Sequence, residues 1–180
     1  HHFHSLKTTK VSKETNDCVH IAFAIPPELR HEFSFKQGQY INVRFLMGEE
    51  DLRRSYSIVN APSEGNGDLE ILVKHLDNGN VSTYLNQVLK LGDFVEVMAP
   101  SGHFYTHYHP SNEKNYIGLA AGSGISPVLS NLKEALYQEP KSNGYLIFSN
   151  KSFAEIIFKK EIDALVAQFE GRLKVFYLVS

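Results

Sequence analysis

Apolar residues recur at every second position through much of the first hundred residues. The alternation is clearest in three stretches, at 19–25, 41–45 and 69–73. A period of two is typical of β-strands that bury one face. Turn signals rich in glycine and proline separate these stretches, at spacings that suit a small antiparallel barrel or sandwich. The pattern also predicts one short helix at 82–89 and a further strand at 94–98.

The hydrophobic period changes after the polar segment 110–114, so we expect two domains, 3–109 and 110–180. In the second domain the predicted strands lie at 116–120, 145–148 and 173–179. Helical segments separate them, which gives the order β-α-β-α-β. That order predicts a parallel sheet with right-handed crossovers. Three strands make a short sheet of this kind, and we expect the domain to be incomplete.

Two local signals mark the starts of the predicted helices in the second domain. Apolar residues recur at helical spacing from Ile125 onwards, and Pro127 suits the first turn of such a helix. Ser152 and Glu155 have the spacing of a capping box, which predicts that the second helix begins there.

Composition and charge narrow the classes of function. The 180 residues are 42% hydrophobic and 21% charged, which predicts a folded protein with a substantial core. A formal net charge of −2 gives no broad basic field, so neither nucleic acid nor an anionic membrane is expected as a partner. No apolar stretch reaches the roughly 20 residues that span a bilayer, and we expect a cytoplasmic protein. Cys18 is the only cysteine, which excludes an internal disulfide and an iron–sulfur cluster held by this chain alone.

A glycine turn between the first strand and first helix of the second domain is the sharpest local motif. It contains Gly122, Ser123 and Gly124, followed by Ile125 and Pro127. Glycines let the backbone approach an anion closely, and the N–H groups at a helix start favour negative charge. Because a proline stands at the third glycine position of the usual dinucleotide fingerprint, a simple tight turn stays open as an alternative.

The end of the next strand is where a dinucleotide-binding fold recognises the adenosine ribose. Ser149, Asn150 and Lys151 occupy that position, and the stretch 148–152 has no carboxylate to repel a 2′-phosphate. Lys151 could pair with such a phosphate, which favours NADPH over NADH. A strand end with a solvated lysine fits the same residues equally well.

Two stretches of the first domain could also bind a phosphorylated, aromatic ligand. Alternation places Arg54, Tyr56 and Ile58 on one strand face, where arginine can grip a pyrophosphate and tyrosine can cover a flat ring. The segment 79–82 opens the short helix, and Ser82 there could bond a phosphate or cap the helix. Locally, an edge strand with a solvated arginine and a plain helix cap are equally good interpretations.

The histidines do not form a convincing metal site. His103, His107 and His109 lie close together, but no cysteine or nearby carboxylate supplies a fourth ligand. We therefore expect no metal in this chain. His1 and His2 are interpreted as the remnant of an expression tag.

Taken in order, the segments 54–57, 79–82 and 121–127 resemble the motifs of the ferredoxin–NADP reductase family. Nearly the whole chain takes part in the resemblance, and three ordered motifs are far more specific than one. Within the family, the chain is most similar to the reductase components of phenylacetyl-CoA oxygenases. The fold that the resemblance implies is an antiparallel six-stranded flavin-binding β-barrel followed by a parallel α/β nucleotide-binding domain.

The resemblance implies FAD and NADPH, or NADH, as cofactors, and a hydride transfer that depends mainly on positioning. Residues implied to hold the flavin are Arg54, Tyr56, Ser57, Val73, Lys74, Gly79, Asn80, Val81 and Ser82. Residues implied to hold the nicotinamide nucleotide are Gly122, Ser123, Gly124, Ile125, Pro127, Ser149, Asn150 and Lys151. Tyr56 and Ser57 are implied to be catalytic because they would lie against the reactive ring.

Two family features are missing from the sequence. The nucleotide domain of the family continues past the third strand, and oxygenase reductases add a ferredoxin domain whose four cysteines hold a 2Fe-2S cluster. We therefore expect a fragment of a longer protein, with the cluster in a missing C-terminal domain. The expected electron acceptor is an oxygenase component or a ferredoxin. Alternatives that remain are a reductase for a separate ferredoxin or flavodoxin, and a non-catalytic flavin-binding or electron-transfer subunit.

Overall fold

The computed structural model describes residues 2–180, so the interpretation of His1 lies outside the described residues. The first part of the chain forms six antiparallel strands and one helix: β1 (Phe3–Thr15), β2 (Cys18–Phe23), β3 (Tyr40–Met47), β4 (Glu50–Ser57), β5 (Leu69–Lys74), α1 (Asn80–Gln87) and β6 (Phe94–Ser101). The strand order is β4-β3-β6-β1-β2-β5. An isolated antiparallel bridge between Ile58 and Ile71 joins the two ends of the sheet and closes it into a barrel.

The barrel core explains why the alternating pattern was informative. Ile21, Ile41, Val43 and Ile71 are fully buried and belong to one apolar cluster, which α1 caps with Leu85. Each strand contributes alternate residues to this cluster because successive side chains of a strand point to opposite faces. The antiparallel barrel expected from the sequence is confirmed.

The second part forms a three-stranded parallel sheet with two helices: β7 (Asn115–Ala121), α2 (Ile125–Gln138), β8 (Asn143–Asn150), α3 (Lys159–Gln168) and β9 (Leu173–Val179). The strand order is β7-β8-β9. Leu146 and Phe148 of β8 pack in one buried cluster with Leu129 of α2 and Ile162 of α3, so both helices cover the same sheet face. Side chains on the other face, such as Leu119 and Phe176, are more than half exposed.

Two predicted helix boundaries are wrong. The short helix begins at Asn80 rather than at position 82 and ends at Gln87. Ser152 and Glu155 do bond to each other, at 3.1 Å, but Ser152 precedes a 3₁₀ turn that Glu155 ends, and α3 begins only at Lys159. Ile156 and Ile157 separate the turn from the helix because their side chains are needed in the core.

The barrel and the α/β unit share buried contacts. Cys18 and Val59 of the barrel lie in the same apolar cluster as Ile125 and Leu129 of α2. The Ser130 hydroxyl donates to the carbonyl of Asn60 at 2.8 Å, and Lys133 pairs with Glu64 at 2.5 Å. The two halves are therefore packed together rather than tethered by a mobile linker.

The polar segment 110–114 is fixed by one buried carboxylate. Glu139, at the end of α2, accepts hydrogen bonds from the His109 N–H, the Asn112 amide and the Tyr116 hydroxyl. Burial alone would raise the pKa of Glu139, but these bonds hold it below its ordinary value. The segment turns the chain from barrel to sheet in one fixed arrangement.

Candidate functional site

A cavity of about 310 Å³ opens at the carboxyl ends of the parallel strands. Open α/β sheets bind ligands at this edge, since strand ends and helix starts meet there. Its lining includes Gly122, Ser123, Ser149, Asn150, Lys151 and Glu155 from the α/β unit, and Asp17 and Lys74 from the barrel. Both halves of the molecule thus build one pocket.

The glycine turn leaves open space beside the pocket. Gly122 has a φ of 53°, and a side chain added at Gly122 or Gly124 would meet nothing within 4 Å. Gly124 has the φ of an ordinary right-handed residue, −64°, so its own backbone does not require glycine. The bare backbone next to the start of α2 therefore fits close approach by an anionic ligand.

An unsatisfied donor points to a ligand in the same pocket. The side chain of Asn150 is 7% exposed, and its Nδ2 has no hydrogen-bond partner among the described residues. A buried amide donor without a partner costs about 1–3 kcal/mol. An acceptor group of a bound nucleotide would remove that cost once the Asn150 side chain turns toward the pocket, because Nδ2 is enclosed in its present position.

The pocket also holds charged residues for which the sequence signals gave other roles. Glu155 appears in the sequence only as a helix-capping residue, yet it lines the same pocket as Lys151. Lys74, implied by the resemblance to meet the flavin, lines this pocket as well, and so does Asp17 of the β1–β2 turn. Asp17, Lys74 and Glu155 are far apart along the chain, so no local sequence motif could predict that they line one pocket.

The remaining predicted nucleotide residues lie at the start of α2. Ile125 is fully buried in the core, so only its backbone is available to a ligand. Pro127 lies in the first turn, as expected, and its carbonyl accepts a bond from the Asn131 amide.

On the barrel, β4 presents a free arginine. Arg54 is exposed and donates to the carbonyl of Arg53 at 2.7 Å. Within residues 2–180, no carboxylate lies within ion-pair distance of Arg54, whereas Arg53 pairs with Asp51 at 2.9 Å. The Arg54 guanidinium is therefore free to bind an anion bidentately.

Tyr56 follows on the same strand face, half-buried against the barrel core. Burial raises the pKa of its phenol to about 12, so the ring stays neutral across physiological pH. Ser57 ends β4 beside Tyr40 of β3. A neutral aromatic ring next to a free cation suits a flat heterocycle that carries a pyrophosphate.

The segment 79–82 lies at the start of α1, which packs against both β4 and β5. A side chain at Gly79 would lie 2.6 Å from the Ser82 hydroxyl, so the tight turn requires glycine. That hydroxyl accepts from the Leu76 N–H and donates to the carbonyl of Gly79, which already satisfies it. The Asn80 side chain is exposed. The other hydrogen-bond donors that this segment offers to a ligand are the backbone N–H groups of the first helical turn.

Two further predicted flavin residues point inward. The side chains of Val73 and Val81 are fully buried in the barrel core, and the Val73 carbonyl accepts from the Asn86 amide. Any contact of Val73 or Val81 with a ligand is therefore confined to the backbone.

Comparison with known proteins fits this arrangement. Residues 5–106 match the model of the oxidoreductase FAD-binding domain. This chain belongs to that family. Residues 119–180 match the oxidoreductase NAD-binding domain, so the FAD and nicotinamide nucleotide expected from the motifs are confirmed as the cofactors of its two domain families.

Relatives agree with the resemblance stated from the motifs. The chain is 36% identical over 180 residues to a component of the 1,2-phenylacetyl-CoA epoxidase of Escherichia coli strain K12, covering 99% of this chain and 49% of that protein. It is 32% identical over 171 residues to the ferredoxin reductase component of 3-ketosteroid-9-alpha-monooxygenase from Rhodococcus rhodochrous, covering 94% and 47% respectively. The chain thus spans about half the length of these curated relatives. The resemblance to ferredoxin–NADP reductases is confirmed.

Solved structures share the fold. The ferredoxin NADP+ reductase of Neisseria gonorrhoeae with bound FAD and NADP matches with a TM-score of 0.79 and 24% identity, over 99% of this chain and 69% of that one. The cytochrome b5 reductase domain of Ulva prolifera nitrate reductase matches with a TM-score of 0.77 and 22% identity, over 98% and 73%. Within residues 2–180, no helix combines the length and apolar character needed to cross a bilayer.

Proposed function

We propose that this chain is the FAD- and nucleotide-binding module of an NAD(P)H-dependent reductase. Its electrons pass to an iron–sulfur centre, in a C-terminal domain beyond these 180 residues, that serves an oxygenase of the phenylacetyl-CoA type. The observation that carries the proposal is the pocket built jointly by Gly122, Ser123 and Asn150 of one domain and Asp17 and Lys74 of the other. A nucleotide held there lies against the barrel.

The chain's own contribution is binding and orientation. Arg54 binds the FAD pyrophosphate, together with the backbone N–H groups at 79–82. Tyr56 covers the flavin ring, and Ser57 offers a hydroxyl beside it. When bound, FAD supplies the conversion between two-electron hydride transfer and single-electron steps. No side chain of this set needs to act as a strong acid or base, because the gain comes from fixed proximity.

The second domain orients the donor. The glycine turn at 122–124 binds the nucleotide phosphates, and the Asn150 amide donates to the ligand. Lys151 lies at the adenosine end. We place the domain boundary between 109 and 110, and we propose a cytoplasmic protein. Its one cysteine, Cys18, is buried and free, as is usual in a reducing compartment.

The first test is an absorbance spectrum of the purified chain with added FAD, repeated without oxygen after NADPH and then NADH. We expect protein-bound flavin, and bleaching of its visible band by one of the two nucleotides. Bound flavin that both nucleotides leave oxidised would favour a non-catalytic flavin carrier. A folded sample that binds no flavin would refute the proposal.

Gly124 gives a direct test of the phosphate site. We expect Gly124→Val to leave the melting temperature nearly unchanged, because the backbone there is right-handed and the added side chain meets only open space. We expect the affinity for ADP to fall at least about tenfold, since the valine occupies the space of the phosphates. Calorimetric titration measures the affinity. Ala167→Val, at an exposed position of α3 outside the pocket lining, is the control. Unchanged ADP binding by Gly124→Val would contradict this phosphate site.

Lys151 and Glu155 should have opposite effects on the preference for NADPH over NADH, because one is positively and the other negatively charged. We expect Lys151→Ala to weaken 2′,5′-ADP relative to ADP, and Glu155→Gln to strengthen it, each by about fivefold for a partly exposed charge. The ratio of the two dissociation constants is the measurement. Glu113→Gln, which removes an exposed carboxylate paired with Lys141, is the control. Equal effects on both ligands would remove these residues from 2′-phosphate recognition.

A further inference from the structure

A buried histidine lies on the barrel beneath the start of α3. His20, on β2, is 2% exposed, and its Nε2 lies 2.7 Å from the Glu70 carboxylate. Its ring packs edge-to-face against Phe158, with the ring centres 4.8 Å apart. The other ring nitrogen, Nδ1, is buried and has no hydrogen-bond partner among the described residues. Glu14 is its neighbour, with Oε1 at 3.8 Å.

The same glutamate holds the nucleotide-binding domain. The second oxygen of Glu14 accepts the backbone N–H of Phe158 at 3.3 Å. Phe158 has a φ of 63°, a left-handed conformation that is unfavourable for a bulky residue and must be stabilised by its surroundings. It ends the segment 151–158, which carries Lys151 and Glu155 of the nucleotide pocket. Glu14 thus connects the barrel to the adenosine end of that pocket.

Nδ1 of His20 lacks a hydrogen-bond partner within residues 2–180, and Glu14 is the residue placed to provide one. If Nε2–H donates to Glu70, Nδ1 is a bare acceptor, and a carboxyl O–H on Glu14 would satisfy it. If Nδ1 carries a proton, it donates to a Glu14 carboxylate. Either arrangement needs one proton between Glu14 and His20, and a small side-chain movement to close the 3.8 Å gap.

Burial and a neighbouring negative charge favour protonation of Glu14. Burial, together with the charge of Glu161, raises the pKa of Glu14. Burial of Glu70 opposes its ionisation, but the hydrogen bond and charge of His20 bring its pKa below the ordinary value. The charged and titratable groups facing the pair are Lys10 of β1, Cys18 of β2, Glu70 of β5, Glu161 of α3, and Lys133 of α2 with its ion-pair partner Glu64.

We infer that Glu14 and His20 share one proton and act as positioning residues, fastening the nucleotide-binding segment 151–158 to the barrel. The inference rests on the proposed function insofar as the segment binds a nucleotide. The folded chain binds the proton more tightly than the unfolded chain. The shared proton therefore stabilises the folded chain fully below pH 4.5, the ordinary pKa of glutamate. This stabilisation is lost as the pH rises through the raised pKa of Glu14 in the folded chain.

A first measurement needs no nucleotide. Amide hydrogen exchange of residues 152–162 is followed from about pH 5 to 8, above the ordinary pKa of a carboxyl group, with correction for intrinsic exchange. Protection is expected to fall as the pH rises. Glu14→Gln keeps an acceptor for Phe158 and offers an amide donor to Nδ1, so protection should become independent of pH. Glu161→Gln should move the wild-type transition to lower pH, and Glu113→Gln should leave it unchanged.

The second measurement is the affinity for ADP over the same pH range. We expect it to fall by about fivefold with rising pH, the equivalent of one hydrogen bond, in the wild type but not in Glu14→Gln. Protection that is independent of pH in the wild type, or equally dependent in Glu14→Gln, overturns the shared proton. The expected exchange pattern without any ADP binding instead overturns the proposed function and leaves the shared proton standing.

Discussion

Replacing Arg54 by alanine is expected to weaken FAD binding by at least about 150-fold, because a bidentate pyrophosphate contact comprises two charge-assisted hydrogen bonds of roughly 1.5–3 kcal/mol each, or about 3 kcal/mol at the least. The Arg54 guanidinium has no carboxylate partner in the described part of the chain, so it can give both bonds to the ligand. Fluorescence titration of FAD measures the loss. The protein should stay folded, since the side chain is exposed.

The neighbouring arginine is a matched control. Arg53 is bound through two hydrogen bonds to Asp51 and points to the other face of β4. We expect Arg53→Ala to change FAD affinity less than about threefold, the effect of a remote surface charge. Arg54→Lys should bind FAD more tightly than Arg54→Ala but less tightly than the wild type, since lysine keeps the charge but loses the planar pair of N–H donors. Equal losses in Arg53→Ala and Arg54→Ala would mean that only the general positive field matters.

Replacing Gly38 by alanine is expected to destabilise the protein by about 2–5 kcal/mol, the sum of overpacking and a left-handed backbone. The added Cβ would lie 1.9 Å from the carbonyl oxygen of Phe104, and φ at Gly38 is +84°. That carbonyl accepts from the Asn131 amide of α2 at 3.0 Å. The substitution therefore also disturbs a bond between the two domains. Urea unfolding gives the change in free energy.

A substitution at Gly48 distinguishes the two causes of the expected loss of stability, overpacking and the left-handed backbone. It also has a positive φ, +64°, but a Cβ there meets nothing within 4 Å. Gly48→Ala should therefore cost only the backbone strain, about 1–2 kcal/mol. A similar loss for both variants would show that the close contact with Phe104 relaxes at no cost.

The hydrophobic pattern predicted the architecture of both halves correctly. The strand predicted at 173–179 matches β9, and the alternation at 19–25 and 41–45 marks residues that the barrel buries. These signals are local, because the period of apolar residues directly reflects which backbone conformation can bury them. Helix starts were less well predicted. The bond between Ser152 and Glu155 formed, but core burial of Ile156 and Ile157 delayed α3.

The glycine turn at 122–124 and the strand end at 149–151 could be proposed as ligand contacts from the sequence because each is a short, contiguous motif, and the structure places both in one pocket. By itself, the sequence determined the two-part fold, the kinds of cofactor and the family. Only the tertiary structure placed Asp17, Lys74 and Glu155 in one pocket and left the Asn150 amide without a partner. It alone brought Glu14 against His20 and Phe158. The physical reason is that charge and hydrogen bonding act through space, between strands and helices whose separation along the chain carries no period.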